Sequence, residues 1–331
     1  MNDRIVCFFH RTDLDGHASG ALVKIKYPDA IMIGIDYADN ETVDRLLNKH
    51  DFLVGATIYM VDFSLSLDEM KKLSAIAKKL IWMDHHQSAI KQIIPYNIKL
   101  PIENMETHTS FTDAGCEIVW KALFANQPGF GSELPAFILR LGRYDVWEHG
   151  HPDTLAFQYG MLAEETNPQE IPWVKFNESG ELNIWQQLYI DFISSIDHDK
   201  IYQTLVSNGR GIMKFVQHEH KEYVNQYAFD CQFKGIPAIA VNRLRVNSSV
   251  FNSIWNPDKY KFMIAFGWTG TTWRFSLYTT HDDIDMSDIA KQISPNGGGH
   301  RKAAGFSSEV YPFVTYCDPA TMNKTLTLEV V

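Results

Sequence analysis

Short apolar runs alternate with longer helix-like stretches through the first half of the chain. The runs predicted to be buried strands are Ile5–Phe9, Ala30–Ile35, Thr57–Val61 and Leu80–Met83. Between the third and fourth runs, Ser66 and Glu69 have the spacing of a capping box, so a helix is expected to begin there, and another helical stretch covers Leu134–Tyr144. Strands that alternate with helices are typical of βαβ units. The first half is therefore predicted to be α/β with a parallel sheet.

The pattern changes after about residue 160. Asn-Pro and Ile-Pro breaks are followed by two predicted helices, Ile184–Leu205 and Gly211–Gln226, which we interpret as a connector. From Ala228 the chain has strand-like segments and a short helix near Met286–Ile293, which predict a second, smaller α+β domain. The expected division is a first domain over residues 1–165, a helical connector over 166–226 and a second domain over 227–331.

The composition is that of a globular protein that folds without crosslinks. Hydrophobic residues make up 45% of the 331-residue chain and charged residues 21%, which argues against a disordered or fibrous protein. The four cysteines form no CxxC pair, which argues against a disulfide framework or a zinc-thiolate site; they are Cys7, Cys116, Cys231 and Cys317. No apolar run approaches the roughly 20 residues of a membrane helix. We therefore expect a cytoplasmic protein without membrane contact.

The formal net charge of −10 limits the partners of the chain. Tight binding to long nucleic acid depends on many contacts between Lys or Arg and phosphate, and an acidic chain offers few of them. A small anionic ligand that is held locally remains compatible with this charge. An excess of acidic groups also fits metal binding, because carboxylates that share a cleft need cations beside them.

Asp and His residues stand where three of the predicted strands end. They are His10, Asp13 and Asp15 after the first run, Asp62 after the third, and Asp84, His85 and His86 after the fourth. Ligands of open parallel sheets bind beyond the carboxyl ends of the strands, so side chains that are distant in sequence can converge there. Asp145, just after the second helical stretch, adds another carboxylate. Because imidazole and carboxylate together suit manganese or a similar divalent ion, the sequence predicts a metal cleft at this edge.

Each of these motifs has a simpler interpretation when it is taken alone. The Asp residues of HRTDLDGHASG can cap a helix, the His pair can lie on a solvated turn, and the glycines of NGGGH can form a flexible turn. Trp147, near Asp145, is interpreted as a packing aromatic. The segment DLDG also resembles haloacid-dehalogenase phosphatases, which would make Asp13 a covalent nucleophile, although that pattern normally continues with Thr and here His17 follows.

The order of the motifs resembles the DHH family of phosphoesterases. HxxDxDG, a lone Asp at a strand end, DHH, a later Asp and a distal GGGH follow one another over nearly the whole chain. The distal element is similar to the C-terminal domain of RecJ-type nucleases and of the oligoribonuclease/pAp phosphatase and cyclic-dinucleotide phosphodiesterase branches. Two features depart from the family. His10 lies three positions before Asp13, where many members have four, and Tyr278 lies near the place of a frequent Arg, for which Arg274 could compensate.

The resemblance implies that residues 1–165 form a catalytic DHH domain with two divalent metal ions, for which manganese is expected. One ion would be held by His10, Asp13 and Asp62, and the other by Asp15, Asp62, His85 and Asp145. Asp62 is then shared by both ions. His86 would face the substrate phosphate or assist protonation, and Asp84 would orient a histidine. In such a site the ions activate water, and no protein nucleophile is needed.

The same resemblance makes residues 227–331 a DHH-associated, substrate-binding domain. Backbone N–H groups of Gly297, Gly298 and Gly299 can approach an anion closely, and His300 and Arg301 can contact phosphate. The expected protein is a manganese-dependent phosphodiesterase or phosphatase for short 5′-phosphorylated oligonucleotides or small nucleotides, with its site in the cleft between the domains. A homodimer is compatible with the sequence. Two alternatives stay open: the haloacid-dehalogenase mechanism, and a nucleotide sensor of the same fold that lacks turnover.

Overall fold

Five strands form a parallel sheet in the N-terminal half of the chain. The computed structural model describes residues 4–125, 133–176, 178–194, 199–299, 301–317 and 324–329, and it divides the chain into two units, Met1–Met213 and Lys214–Val331. The strands of the first unit are β1 (Ile5–His10), β2 (Ile31–Ile35), β3 (Thr57–Val61), β4 (Lys79–Asp84) and β5 (Met105–Thr109). They pair in the order β2-β1-β3-β4-β5, each parallel to its neighbour. The predicted α/β class is confirmed.

Helices cover both faces of this sheet. They are α1 (Leu14–Lys26), α2 (Val43–Lys49), α3 (Leu67–Ile76), α4 (Gln87–Lys99), α5 (Gly115–Leu123), α6 (Ala136–Asp145), α7 (Pro152–Met161) and α8 (Ile184–Ile193). Alternate residues of β1 enter two separate cores: Cys7 and Phe9 pack with α1, α5 and α6, whereas Val6 and Phe8 pack with α2, α3 and α4. A sheet that is buried on both faces has continuous apolar strands, as the sequence shows. Polar side chains are therefore left for the strand ends.

The helices after residue 180 differ from the predicted ones. The first ends at Ile193, and a single helix, α9 (Lys200–Tyr227), then runs without a break through Gly209 and Gly211. The predicted boundaries at Leu205 and Gly211 were therefore wrong. Gly209 is required for packing, because a Cβ there would lie 1.7 Å from the carbonyl oxygen of Ala156 in α7. The two units divide within this helix, between Met213 and Lys214.

The second unit, Lys214–Val331, contains a mixed sheet, against which the helix α10 (Met286–Ile293) and the C-terminal part of α9 pack. Its strands are β6 (Phe229–Phe233), β7 (Ile236–Asn242), β8 (Phe262–Trp268), β9 (Trp273–Tyr278), β10 (Gly298–Gly299), β11 (Ala303–Ser308), β12 (Phe313–Cys317) and β13 (Lys324–Leu328). They pair in the order β10-β11-β9-β8-β7-β6-β13-β12. Helix α10 buries its apolar side on this sheet, so the predicted smaller α+β region is present. Across the described ranges of both units, every helix is too short or too polar to span a membrane.

Candidate metal centre

The carboxyl ends of β1, β3 and β4 carry most of the predicted ligands. His10 is the last residue of β1, Asp62 follows β3 directly, and Asp84 ends β4. Because the three strands are adjacent and parallel, these ends lie at one edge of the sheet. Three sets of side chains place potential ligand atoms within 4.8 Å of one another, and they are His10/Asp13/Asp62, Asp15/His85/Asp145 and Asp62/His85/His86. The structure thus brings together every residue that the resemblance assigned to metal.

The first set contains His10, the residue with the shortened spacing. Its Nδ1 lies 2.7 Å from an Asp13 carboxylate oxygen and 3.8 Å from one of Asp62. The other oxygen of Asp13 accepts a bond from the N–H of Gly16 at 2.9 Å, so this residue also caps α1. Gly16 is needed for the close turn, since a Cβ there would lie 2.0 Å from the carbonyl oxygen of His10. The three-residue spacing is therefore compatible with convergence on Asp62.

The second set centres on His85. Its Nε2 lies 3.7 Å from an oxygen of Asp15, 3.2 Å from one of Asp62 and 3.4 Å from one of Asp145. Asp62 therefore contacts a histidine of each set, His10 through one oxygen and His85 through the other. It is 1% exposed, and within the described part of the chain its Oδ1 forms no hydrogen bond. A buried carboxylate oxygen without a hydrogen bond is costly, and a cation would satisfy it.

The backbone also holds Asp62 in an uncommon conformation. Its φ is +50°, in the left-handed region that Asp tolerates better than most residues, and its N–H donates to the carbonyl of Met83 at 2.9 Å. Helix α5 approaches it closely, because a Cβ on Gly115 would lie 2.6 Å from the Asp62 Cβ. Backbone strain of this kind is often found at functional sites, where the surrounding structure maintains it.

The N-terminus of α5 fixes Asp15. The N–H groups of Gly115 and Cys116 each donate to one oxygen of this carboxylate, both at 2.8 Å. Ala114, the residue that precedes the helix, provides no side-chain cap, so Asp15 satisfies these donors from the first turn of another helix. Both of its oxygens are therefore oriented before any cation binds.

Asp84 lies beneath the histidine pair and is fully buried. One of its oxygens accepts from the N–H of His85 at 2.7 Å, from the N–H of His86 at 3.1 Å and from Nδ1 of His86 at 2.7 Å. The other accepts a bond from the hydroxyl of Ser64, which in turn accepts one from Trp82 Nε1 at 2.9 Å. This network gives Asp84 the means to orient His86. Ser64 and Trp82 were not predicted, although Ser64 lies two residues after Asp62 in VDFS.

The carboxyls of the centre oppose one another's ionisation. Burial raises the pKa of Asp62 well above its usual range, and the charges of Asp15, Asp13 and Asp145 raise it further. Burial, followed by Asp15 and Asp13, raises the pKa of Asp145 to about 8. Oxygen and imidazole donors of this kind suit Mn²⁺ and similar divalent ions. The donor set, the charge repulsion and the unbonded Asp62 oxygen all fit bound cations.

Two carboxyls paired with histidine behave in the opposite way. Burial favours the neutral form of Asp13, but its hydrogen bond and charge interaction with His10 prevail and lower its pKa. Burial likewise works against ionisation of Asp84, and the bond with His86 prevails there too, so the pKa of Asp84 is lowered. For His86, burial favours the neutral ring, yet the Asp84 carboxylate raises its pKa. His86 therefore holds a proton more readily than an ordinary histidine.

Trp147 does not have the buried, packing position that the sequence predicted for it. This side chain is 65% exposed, so it does not pack in the core, and its backbone has a φ of +61° at the end of α6. Its ring packs on His149, whose Nε2 lies 3.0 Å from the carbonyl oxygen of Tyr144. Tyr37, which was not predicted, packs against the rings of both His10 and His86.

The glycine-rich segment of the second unit borders a separate cavity of about 570 Å³. Gly298 and Gly299 line it together with Arg274 and Tyr278. Gly297 instead packs on α10, since a Cβ there would lie 2.2 Å from the carbonyl oxygen of Ala290. The predicted contact residue His300 lies outside the described residues.

Arg301, also predicted to contact substrate, binds within its own unit. It donates to the carbonyl of Asp282 and lies 3.7 Å from the carboxylate of Asp285. Tyr278 donates its hydroxyl to the carbonyl of Val246 at 3.1 Å. Among the described residues that line the cavity, Arg274 has the cationic side chain.

Comparison with known proteins places these features in a family context. Residues 4–141 match the family described as DHH family, N-terminal domain. No curated protein sequence matches the chain significantly. A solved structure of the DHH domain of a member of the s1p family of ribosomal proteins has a TM-score of 0.52 and 12% identity, over 92% of this chain and 82% of that one. This likeness shows the same fold.

Two further solved structures are similar over most of this chain. A pGpG-specific phosphodiesterase from Vibrio cholerae has a TM-score of 0.48 and 13% identity, over 93% of this chain and 94% of that one. An exonuclease RecJ bound to manganese has a TM-score of 0.46 and 13% identity, over 92% of this chain and 86% of that one.

Proposed function

We propose that the chain, whose residues 4–141 match the DHH family N-terminal domain, is a metal-dependent phosphoesterase of that family. In this proposal its substrates are short oligonucleotides or small nucleotides, and it hydrolyses their phosphodiester or phosphomonoester bonds. The observation that carries the proposal is the convergence of six potential ligands from separate elements on the buried carboxylate of Asp62 and its neighbours. A set of acidic and histidine side chains at strand ends is what a hydrolytic metal site requires.

Two divalent ions, with manganese as the expected metal, fit the two sets of side chains. His10, Asp13 and Asp62 would hold the first, and Asp15, His85 and Asp145, with the second oxygen of Asp62, would hold the other. When bound, such ions lower the pKa of water to generate hydroxide and polarise the phosphoryl oxygens. A covalent aspartyl intermediate at Asp13 is then unnecessary, and both oxygens of that residue already contact the His10 ring or Gly16.

His86 is the residue that would act on the substrate. Its Nδ1 is bonded to Asp84, which leaves Nε2 for a phosphate or leaving-group oxygen. Because the Asp84 carboxylate raises the pKa of His86, the ring is better able to donate a proton near neutral pH. Ser64 and Trp82 keep Asp84 in place, so the donor is oriented before substrate binds.

The cavity beside Gly298 and Gly299 is the proposed recognition site for a substrate phosphate. Glycine lets an anion approach the backbone N–H groups closely, and the guanidinium of Arg274 supplies positive charge. Tyr278 cannot replace the Arg that relatives often have near this place, because its hydroxyl donates to Val246. Arg274, four residues earlier in β9, takes that part in the proposal.

The first prediction tests metal-dependent turnover. Chelator-stripped protein should be inactive and should hydrolyse a 5′-phosphorylated dinucleotide or an aryl phosphodiester when Mn²⁺ is added. Asp62→Asn should lower kcat/KM by more than about a hundredfold. Substitution of a residue that only hydrogen-bonds to a metal ligand typically costs about 10- to 100-fold, and loss of the ligand itself should cost more. Asn also tolerates the left-handed backbone of this position, so the fold should be kept. Steady-state kinetics and metal analysis of both proteins measure this.

The control is Asp68→Asn, which removes a carboxylate with an 84% exposed side chain from the same unit and should leave activity unchanged. Turnover by the chelated wild-type protein would contradict the proposal. So would a trapped phosphoaspartate at Asp13, which would indicate the haloacid-dehalogenase mechanism. Nucleotide binding in calorimetry without product release would instead indicate a sensor.

A further inference from the structure

A buried ion pair joins α5 to α6 close to the metal centre. Glu117, in the first turn of α5, is 1% exposed, and its two carboxylate oxygens accept from Nε of Arg143 at 3.0 Å and from a terminal nitrogen of the same guanidinium. Burial raises the pKa of Glu117, and the Arg143 charge opposes that shift. A two-point Arg–carboxylate contact fixes both distance and orientation, so the pair holds the two helices in one register.

The packing around this pair leaves little room for adjustment. Arg143 also donates to the carbonyl of Thr112, in the segment before α5. A Cβ on Gly142 would lie 2.3 Å from a carboxylate oxygen of Glu117, so α6 approaches the pair as closely as glycine permits. Removing one partner of such a buried pair leaves an uncompensated charge and forces the helices to shift.

Each of the two helices positions one ligand of the second set: α5 binds the carboxylate of Asp15, and α6 contains Asp145. Gly115 and Cys116, immediately before Glu117, hold both oxygens of Asp15. Asp145, two residues after Arg143, is the last residue of α6 and lies 3.4 Å from His85. Two members of the first ligand set have a different support, because His10 ends β1 and Asp13 lies in the turn that follows it, and Asp62 is the member that contacts α5.

We propose that Glu117 and Arg143 are positioning residues for one of the two metal ions. They set the separation of Asp15 and Asp145 and so determine the affinity of the ion held with His85. The ion held by His10 and Asp13 depends on them only through the shared Asp62, on which Gly115 of α5 packs. The inference rests on the proposed function in taking these side chains as metal ligands. It adds a structural reason for unequal affinity of the two ions.

The second prediction tests this assignment by titrating chelator-stripped protein with Mn²⁺ and following free Mn²⁺ by electron paramagnetic resonance. Wild-type protein should bind two ions. Arg143→Lys keeps the charge but loses the two-point contact, and Gly142→Ala keeps both partners but displaces the carboxylate. Both variants should bind the ion held with His85 about 10- to 100-fold more weakly and the ion held by His10 and Asp13 with a much smaller change, because Asp62 is its one ligand that α5 contacts. Excess Mn²⁺ should restore their kcat.

The matched control is Glu148→Gln, which removes the exposed partner of Arg143 at 2.8 Å and should bind both ions as wild type does. If Arg143→Lys does not fold, Gly142→Ala and Glu117→Gln decide the outcome. Equal weakening of both ions, or unchanged binding of the second, would overturn the positioning role while two-ion, metal-dependent turnover by wild type still stands. A wild-type protein that binds fewer than two ions would overturn this inference and the two-ion site together.

Discussion

The carboxyls of Asp62 and Asp145 lie where their own negative charge is most disfavoured. Both have pKa values raised by burial first and then by other aspartates of the centre. A group whose pKa is raised by folding binds a proton in the folded protein at a pH where the unfolded chain has released it. The metal-free protein therefore gains stability from these groups as the pH falls, and loses it as the pH rises.

The third prediction uses this sign for the metal-free protein. Between a pH of about 8, where Asp145 titrates in the folded state, and about 4, where an unfolded Asp titrates, the contribution of these carboxyls to the free energy of unfolding should increase as pH decreases. Asp145→Asn removes one of the titrating groups and should flatten this dependence. The measurement is urea unfolding at several pH values in the presence of a chelator.

The comparison variant for this experiment is Asp29→Asn, whose carboxylate is 80% exposed. It has the same change of charge in the same unit and should keep the wild-type slope. A pH dependence that Asp145→Asn leaves the same as in wild type would mean that the folded protein does not protonate Asp145 above its usual range. Interacting carboxyls titrate as a group, so the slope belongs to the cluster and the variant reports the share of Asp145.

At the residue scale, the sequence predicts potential ligands but not the groups that position them. The convergence of His10, Asp62 and His85 follows from strand ends in a parallel sheet, which can be predicted from local pattern. The contacts of Asp15 with Gly115 and Cys116 join residues about a hundred positions apart, and nothing in either segment indicates the other. The sequence likewise does not indicate that Gly115 must be small, because this requirement comes from its close approach to Asp62 in the folded chain.

At the element scale, helix α9 contains two glycines that have different effects, one on helix packing and the other on helix propensity. Gly209 is buried against α7, where a Cβ would meet the carbonyl oxygen of Ala156 at 1.7 Å. A Cβ on Gly211 would have no described residue within 4 Å apart from its chain neighbours and the backbone of its own helix. The same residue type therefore permits close helix packing at one position and only lowers helix propensity at the other. The sequence pattern treats both as helix breaks.

The fourth prediction compares these two positions. Gly209→Ala should lower the free energy of unfolding by about 1–3 kcal/mol, because the added methyl group overpacks the contact between α7 and α9. Gly211→Ala should raise it by about 0.5–1 kcal/mol, because alanine favours the helix more than glycine does. Urea unfolding of the two variants measures both changes. Equal effects of the same sign would show that the Gly209 contact is not closely packed.

Element type was easier to predict than element position. Four strands of the first sheet follow from continuous apolar runs, and the start of α3 is confirmed by the bond from the Glu69 N–H to the Ser66 hydroxyl. Strand β5 was not predicted, because METHT has half-buried, largely polar side chains and lies at the edge of the sheet. The strand is stabilised by its pairing with β4, because its composition alone does not favour a strand.

At the scale of the whole molecule, charge decides which polyanions the chain attracts. The sequence has 40 acidic and 30 basic residues, so two divalent ions at the metal centre would leave it negatively charged. Several of the basic side chains near the cavity of the second unit are already paired, as Lys302 is with Asp282 and Arg301 with Asp285. The positive charge proposed for recognition is therefore local, at Arg274 and the glycine backbone.

The fifth prediction concerns substrate length and salt. Long nucleic acid is held by many Lys or Arg contacts with phosphate, and each contact makes binding more sensitive to salt. With a net charge of −10, this chain should gain nothing from additional phosphates. Substrates of about two to five nucleotides, or mononucleotide bisphosphates, should therefore have a higher kcat/KM than long single strands, with a shallow dependence on salt. Steady-state kinetics on 5′-phosphorylated oligonucleotides of increasing length, at two salt concentrations, measures this. An aryl phosphodiester whose leaving group is uncharged is the control for effects of salt on the metal centre itself. A kcat/KM that rises with length and falls steeply with salt would instead indicate a nuclease that follows long strands.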